Sequence, residues 1–187
     1  MLKMKRLIIS MIVTIFTLGL FAQSNTTVVT TIQGDGYTYI KETVDATLKV
    51  KLYNQENEYV NVPLVYKETG KRPPYDLREK RVEDDNWSSL RAELIVNQSF
   101  TTEQMQIIKD HKLGVGIYVD TTTGKVVGVE FRFLKISPFA DIPISTFREI
   151  ELKMKREIYF TLTEAGKKLN YVYLGWIQDI VDMSIIK

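Results

Sequence analysis

The sequence predicts an α+β protein in which an N-terminal antiparallel β meander is followed by a hairpin, a helix and a strand, with two helices packed on a mixed or antiparallel sheet. Residues 46–53 alternate apolar and polar side chains, which is the period of a half-buried strand. Two β-rich runs, 114–120 and 125–133, are joined by a short turn that ends at Gly124, as is typical of a hairpin. After Thr146, apolar side chains recur every three or four residues, which is the period of a helix.

The N-terminal half is expected to form strands within residues 24–66. Gly34-Asp35-Gly36 marks one turn, and the polar residues 54–57 mark another. The last run, Tyr59 to Tyr66, contains a proline, which places a strand at a sheet edge or interrupts it. The prediction is a meander of short antiparallel strands.

A polar segment, residues 67–86, follows the meander. The pair Pro73-Pro74 excludes a helix interior or a central strand, and the dense charges exclude a core face. The basic run Arg78-Glu79-Lys80-Arg81 could form a binding patch, but the neighbouring acids favour a solvated loop. We therefore expect a connector that separates the two halves of the chain.

Two elements are predicted at the start of the second half. Arg91 to Val96 is expected to form a strand. A helix is expected from Thr101 to about Lys112, because Thr101 and Gln104 fit a capping box, in which each side chain binds the backbone N–H of the other residue.

The remaining elements are a helix and a closing strand. The helix is predicted from Thr146 to Arg156, with Thr146 and Glu149 as its capping box. The strand, Leu169 to Ile177, carries apolar side chains on both of its faces, so we expect it to lie in the centre of the sheet.

Residues 1–22 have the three parts of a secretory signal peptide: basic residues before position 7, an apolar run from Leu7 to Phe21, and the small residue Ala22. The apolar run is shorter than the roughly 20 residues that span a bilayer. We expect export to the periplasm or the extracellular space, with no stable membrane span after cleavage. An uncleaved membrane anchor is the alternative.

The sequence contains no cysteine. A lipoprotein anchor is therefore excluded, as are disulfides, thiol nucleophiles and cysteine-based metal sites. Stability must come from a hydrophobic core, and residues 23–187 are enough for one α+β domain. A subdivision into a meander (24–66), a connector (67–86) and an α+β unit (87–187) is possible.

The charges of the chain are nearly balanced, with 25 Lys and Arg against 23 Asp and Glu. Three of the basic residues belong to the predicted signal peptide, so the exported chain is close to neutral. Binding to phosphate backbones needs clustered Lys and Arg. We expect no nucleic-acid partner.

Catalytic and metal-binding patterns are not found in the sequence, and no catalytic residue, metal ligand or cofactor is predicted. The single histidine, His111, follows a predicted helix, where a cation suits the helix dipole, so a surface or capping role is favoured. Gly34-Asp35-Gly36 leads into a strand rather than a helix and is not a phosphate loop. Glu83-Asp84-Asp85 lacks the spacing of a calcium loop, although an ion site there is an open alternative.

The C-terminal part resembles the C-terminal domain of TonB-type energy transducers. The matching features are the turn Asp120 to Lys125, the helix Thr146 to Arg156, the pair Tyr159-Phe160, the turn Gly166-Lys167 and the strand Leu169 to Ile177. A transducer also needs a permanent anchor and a long proline-rich stretch, whereas this chain has five prolines in all. The resemblance therefore implies a fold and an envelope location, not the transducer's activity.

The whole chain also resembles the small signal-bearing proteins of unknown function that are typical of Bacteroidetes. In such bacteria, sugars are attached at short Asp-Thr motifs, and Asp120-Thr121-Thr122 fits that pattern at the expected hairpin tip.

The sequence favours a non-enzymatic periplasmic or surface protein that binds another protein or an envelope component through its sheet. Its ten tyrosines suit such a surface, although tyrosine is also a good strand former. The alternative is a carboxylate-based hydrolase acting on envelope or dietary glycans. Two acids in a deep pocket would favour the hydrolase, and a tyrosine-lined open face would favour binding.

Overall fold

A computed structural model describes residues 26–74, 79–83 and 86–180 of the chain. The predicted signal peptide lies outside these residues, as do Arg78 of the basic run and Asp84-Asp85 of the acidic triplet.

The described residues contain an open six-stranded sheet in which all pairs are antiparallel. The strands lie in the order β1-β2-β3-β5-β4-β6. The predicted meander is confirmed over β1 to β3, and the predicted hairpin is confirmed as β4 and β5. The strands are β1 (Thr27–Gln33), β2 (Thr38–Val44), β3 (Lys49–Asn54), β4 (Lys112–Val119), β5 (Val126–Leu134) and β6 (Val172–Asp179).

In the part of the chain that the structure describes, four α-helices accompany the sheet, and the predicted α+β class is confirmed. The longest of them packs on one sheet face, where the ring of Phe147 lies 4.9 Å from that of Phe131 and 6.0 Å from that of Phe133. Ile150 and Met154 of the same helix are fully buried. The helices are α1 (Asn86–Gln98), α2 (Thr102–Ile108), α3 (Ile144–Glu157) and α4 (Glu164–Lys167), with a 3₁₀ turn at Pro138–Asp141.

Helix α1 replaces the strand predicted at Arg91 to Val96, so that prediction is wrong. Its β-branched residues favour a strand locally. The side chains that it buries, Ala92, Ile95 and Val96, are spaced three and four apart, which matches the face of a helix. Burial of this face against the core outweighs the local preference.

The two predicted helix starts have different outcomes. At α2, Thr101 and Gln104 form the predicted capping box, although the helix ends at Ile108 rather than at Lys112. At α3, the helix begins after Pro143 with no side-chain cap, so the predicted Thr146 box is wrong. The hydroxyl of Thr146 instead accepts a hydrogen bond from Gln104 Nε2 at 3.3 Å.

Two strand predictions also need correction. Residues 59–61 form a turn and residues 62–65 are irregular, so this run is not a strand, and of these residues only Tyr66 makes an isolated bridge, to Leu169. Asn61 has a positive φ of 65°, which interrupts an extended chain. Strand β6 lies at the edge of the sheet rather than in its centre. Its second apolar face is explained by a tyrosine cluster that is described below.

The described part of the connector packs against the C-terminal region. Val82 bridges Leu162, and the backbone oxygen of Arg81 accepts a hydrogen bond from Thr163 N at 3.2 Å. At Gly166 a Cβ atom would lie 2.0 Å from that same oxygen, so only glycine allows this approach. Residues 67–74 and 79–83 are irregular apart from the bridge, as predicted for a loop.

Over the described residues, no helix combines the length and the apolar character that crossing a bilayer requires.

Candidate functional site

The candidate site lies on the sheet face that α3 does not cover, which we call the open face. Side chains alternate between the two faces of a strand, so the positions opposite the buried core residues point to this side. One row of the open face runs across five strands. It consists of Glu42, Lys51, Arg132, Gly114 and Ile177.

The loop formed by residues 55–66 covers one end of the open face. The amide of Asn57 lies over Gly128, where a Cβ would be 2.4 Å from Asn57 Oδ1. Tyr59 packs on the rings of Tyr118 and Tyr171, with centroids 6.0 and 5.3 Å away. The Tyr171 hydroxyl donates to the backbone oxygen of Val62 at 2.6 Å. We call Tyr59, Tyr118, Tyr171 and Tyr173 the tyrosine cluster.

A buried carboxylate, Glu130, lies beside the tyrosine cluster and is only 1% exposed. The hydroxyl of Tyr118 donates to its Oε2 at 2.9 Å, and the hydroxyl of Tyr173 donates to its Oε1 at 2.8 Å. The guanidinium of Arg132 pairs with the same carboxylate. A buried charge needs this many partners, because an unpaired carboxylate in the interior is strongly unfavourable.

The phenols of the tyrosine cluster act as permanent donors to Glu130. Burial, followed by the negative charge of Glu130 and the hydrogen bond to it, raises the pKa of Tyr118 and of Tyr173 far above the ordinary tyrosine value. Both hydroxyls therefore keep their protons throughout the physiological range. They position Glu130 and do not exchange protons with a ligand.

Beyond this covered end, the open face forms a groove of about 850 Å³. Its floor is low because Gly114 and Gly175 carry no side chain. The ring of Tyr173 borders it and lies against Gly116, where a Cβ would be 2.3 Å from the Tyr173 hydroxyl. We call this feature the open groove.

The charged side chains of the open groove are mostly cationic. They are Lys49, Lys51, Lys112 and Arg132, against the single acid Glu42. Lys51 lies 2.8 Å from Glu42, and Lys112 lies 3.4 Å from Asp179. Lys49 is exposed and forms no ion pair with any residue of the described chain. Arg132 pairs with Glu130, so Lys49 is the one lining cation without an acidic partner among the described residues, and the groove has a small excess of positive charge.

Glu42 is held by three neighbouring side chains in the open groove. Tyr53 Oη donates to it at 2.6 Å and Asn61 Nδ2 at 3.3 Å, in addition to the Lys51 ion pair. Burial would raise the pKa of Glu42, but the hydrogen bonds from Lys51 and Tyr53 and the charge of Lys51 outweigh it and lower that pKa. Glu42 is thus ionised at neutral pH.

Exposed apolar side chains border the cationic groove. Leu134 and Ile177 line it and are 47% and 63% exposed. Leu48 comes just before Lys49, and its backbone oxygen accepts a hydrogen bond from Lys135 N at 2.7 Å. It has a positive φ of 53°, which is costly for a leucine and is found most often where surrounding structure or function requires it.

Several residues that the sequence singled out have a defined place. His111 is exposed and lies in the turn between α2 and β4, at the border of the open groove, which fits the predicted surface role. The hydroxyl of Thr121 is buried and donates to the backbone oxygen of Leu169 at 2.8 Å, so the folded chain does not present it for sugar attachment. Of the acidic triplet, only Glu83 is described, and the described residues contain no cluster of metal-binding side chains.

Glu130 and the open groove are not predicted from the sequence. A signal for Glu130 is present in β5, where Glu130 and Arg132 alternate with the apolar residues Val129, Phe131 and Phe133. An acid at that position of a central strand needs donors from its neighbours. The sequence does not indicate which strands provide them.

A second buried carboxylate, Glu151 of α3, lies on the opposite face of the sheet. Its Oε2 accepts hydrogen bonds from Tyr39 at 2.5 Å, from Asn54 at 3.1 Å and from Arg148 at 3.0 Å. Lys155 Nζ lies 2.6 Å from its Oε1. Because these contacts join α3 to β2 and β3 inside the core, we assign Glu151 a structural role.

Comparisons with known proteins agree with this architecture. A crystal structure of a DUF5043 family protein from Bacteroides uniformis ATCC 8492 is similar over 82% of this chain and 86% of its own, with a TM-score of 0.76 and 38% sequence identity. The comparisons do not show the resemblance to TonB-type domains. No curated protein matches the chain. Residues 22–176 match the family described as a domain of unknown function, DUF5043, and the chain belongs to that family.

Proposed function

We propose that this protein is a non-enzymatic binding module that acts outside the cytoplasm and holds an acidic segment of another protein in its open groove. The observation that supports this most directly is the small excess of positive charge in the groove, where Lys49 has no acidic partner among the described residues. Complementary charge guides a partner to such a surface and fixes its register.

The groove border favours a protein as the partner. Leu134 and Ile177 are exposed beside the cations, and Leu48 is held at the same end of the sheet in a costly conformation. A peptide can cover such aliphatic side chains with its own apolar residues, whereas a glycan has few groups of that kind. Tyrosine and arginine are also enriched at protein interfaces.

Two carboxylates of the open face, Glu42 and Glu130, favour binding over glycoside hydrolysis. A glycosidase needs one carboxyl group with a raised pKa to donate a proton. The pKa of Glu42 is lowered by Lys51 and Tyr53 despite partial burial, and Glu130 is enclosed by Tyr118, Tyr173 and Arg132. Both oxygens of each acid are already held by neighbouring side chains, so neither acid presents a free oxygen to a leaving group.

Export remains part of the proposal. The apolar run Leu7 to Phe21 supports it, and so does the family match, which begins at residue 22, where the signal peptide is expected to end. N-terminal sequencing of the protein made in a bacterial host should give a start near Gln23. Met1 retained on protein in the membrane fraction would contradict export by cleavage.

The likeness to TonB-type domains also remains a proposal and concerns the fold alone. It is supported by the order of β4, β5, α3 and β6 along the chain, and it implies nothing about energy transduction.

Peptide binding to the open groove can be measured with matched charge variants. The probe is a fluorescent synthetic peptide of alternating Glu and Leu, and a Lys and Leu peptide serves as its counterpart. Lys49→Glu reverses a groove cation that makes no ion pair in the described structure, and we expect it to weaken binding of the acidic peptide by about tenfold or more. Lys109→Glu changes the net charge equally at the residue that follows α2, outside the groove lining, and should have little effect.

Equal affinity of the two variants for the acidic peptide would contradict the proposed site. Stronger binding of the basic peptide would contradict the proposed charge. An anionic polysaccharide such as alginate is the third probe. If it binds with the Lys49 dependence and the acidic peptide does not bind, a glycan replaces the protein segment as the partner.

A further inference from the structure

Among residues 26–74, 79–83 and 86–180, strand β1 is an unprotected edge of the sheet. Within this part of the chain it pairs with β2 alone, and all its residues but one are exposed, with Val28 and Val29 at 45% and 61%. Residues 26–34 contain no charge and no proline, and the register with β2 is continuous, without a bulge. Proteins usually protect an edge of this kind with one of those devices, because its free backbone groups bind other strands.

The ladder with β2 shows which backbone groups of β1 are free. Thr26 O accepts from Asp45 N at 3.1 Å, and Gly34 N donates to Tyr37 O at 2.8 Å. Backbone direction alternates along a strand, so the even-numbered residues of β1 bind β2. The N–H and C=O groups of the odd-numbered residues point outward. These residues are Thr27, Val29, Thr31 and Gln33.

We propose that β1 pairs with β1 of a second copy of this chain, antiparallel, with the two-fold axis at Thr30. In this register Thr27 faces Gln33 of the second copy and Val29 faces Thr31 of the second copy. All the outward N–H and C=O groups of both strands are then satisfied, as the closely spaced pairs of an antiparallel ladder.

The side chains fit the same register. Val28 faces Ile32 of the second copy on one face of the sheet, which covers two apolar groups that are exposed or half-buried in the monomer. Thr30 faces Thr30 of the second copy, and like charges do not meet because the strand has none. A two-fold pair of this kind closes on itself and continues the sheet from one copy into the next. It leaves the open groove free and does not depend on the proposed peptide binding.

Disulfide trapping tests the register, since the chain has no cysteine of its own. In the proposed pair, the Cα atoms of the two Thr30 residues lie about 4.5 Å apart, which is within the reach of a disulfide. Thr30→Cys should therefore give a covalent dimer under mild oxidation. Thr27→Cys is the matched control, an exposed threonine of the same strand whose two copies would be about 20 Å apart. We expect Thr30→Cys to cross-link at least about tenfold faster.

Sedimentation equilibrium of the cysteine-free protein from Gln23 onward provides a second measurement. We expect a dimer that forms with rising concentration. Thr31→Pro should abolish it, because it removes an outward N–H without breaking a bond to β2. Circular dichroism would show whether this variant keeps its fold. Ile107→Lys, which replaces a side chain that is 61% exposed on α2, should leave the dimer unchanged.

Three results would overturn the proposal. The first is equal cross-linking of Thr30→Cys and Thr27→Cys, which indicates random collision. The second is a monomer at every concentration, together with no cross-link at Thr30. The third is open-ended polymers without a Thr30 cross-link, which indicates that β1 binds a different edge such as β6 of the next copy.

Discussion

Leu48 has a backbone conformation that is unfavourable for a leucine side chain. It lies in the turn between β2 and β3 with a φ of 53°, and its side chain is 41% exposed. A left-handed conformation costs a leucine about 1 kcal/mol or more, and asparagine adopts it more readily. The folded state is therefore less stable than it would be with a residue that favours this conformation.

We expect Leu48→Asn to stabilise the protein by about 0.5–1 kcal/mol and to weaken binding of the acidic peptide. Urea unfolding measures the first effect and peptide titration the second. Val62→Asn is the matched control, since Val62 is 40% exposed, and it should not stabilise the protein. If Leu48→Asn loses stability, the left-handed conformation is not the source of strain.

Glu130 and Glu151 illustrate what could be predicted at the level of single residues. The alternation in β5 places Glu130 on a definite face, but its donors come from β4 and β6, whose register the sequence does not specify. In the sequence, Glu151 and Lys155 stand four residues apart on a predicted helix, which is typical of an exposed ion pair. It is buried because Tyr39 and Asn54 approach it from strands far away in the sequence.

At the scale of an element, the attachment of α3 to the sheet depends on the ionised form of Glu151. Burial would raise the pKa of Glu151, but hydrogen bonds from Lys155 and Tyr39 and the charge of Lys155 lower it below the ordinary value of 4.5. The folded state therefore binds a proton less readily than the unfolded state does. The resulting stability is complete above about pH 4.5 and is lost as the pH falls through the folded-state pKa.

We expect the free energy of unfolding to decrease steeply below about pH 4.5, measured by urea denaturation between pH 7 and pH 3. Glu151→Gln should cost about 3 kcal/mol at pH 7, because it leaves the cationic partners of the carboxylate unpaired, and it should flatten the acid dependence. Glu149→Gln removes a half-exposed acid of the same helix and should change both quantities little. An unchanged pH profile in Glu151→Gln would show that other acids control acid unfolding.

The elements differ in how far they could be predicted from local sequence. The β4–β5 hairpin and the α2 capping box follow from short patterns, and both are present. A strand was predicted in place of helix α1 because Ile95 and Val96 favour strands locally. The helix forms because tertiary packing buries Ala92 and its neighbours on one helical face. Strand β6 was placed in the centre because both of its faces are apolar, and the second face in fact packs in the tyrosine cluster.

At the scale of the whole molecule, the contact between the connector and Gly166 ties distant parts of the chain together. A Cβ at this position would meet the backbone oxygen of Arg81, which cannot move aside as a flexible side chain could. Gly166→Ala should therefore destabilise the protein by about 1–3 kcal/mol. It should also speed tryptic cleavage within residues 67–83, which contain several Lys and Arg.

Limited proteolysis with mass spectrometry, together with urea unfolding, measures both effects. Lys167→Ala is the neighbouring control, because it removes only an exposed ion pair with Glu164. Faster cleavage in the control as well would indicate that α4, rather than the close approach at Gly166, protects the connector.

The open groove could not be predicted because it is a property of the assembled sheet. Its cations come from β3, β4 and β5, and its glycine floor comes from β4 and β6. Each residue is ordinary within its own strand, and only the strand order and the registers place them together. The fold class follows from local periodicity, whereas the site depends on contacts between residues that are far apart along the chain.

The strand order also has a kinetic consequence. β3 pairs with β5, although α1, α2 and β4 lie between them in the chain, so the centre of the sheet forms only after a long loop closes. Loop closure of this kind slows folding relative to proteins built from local contacts. Until it occurs, the β1–β3 meander lacks its neighbour, and β3 is a temporary edge with Val50 and Leu52 uncovered. A newly made chain would need protection from aggregation during that interval.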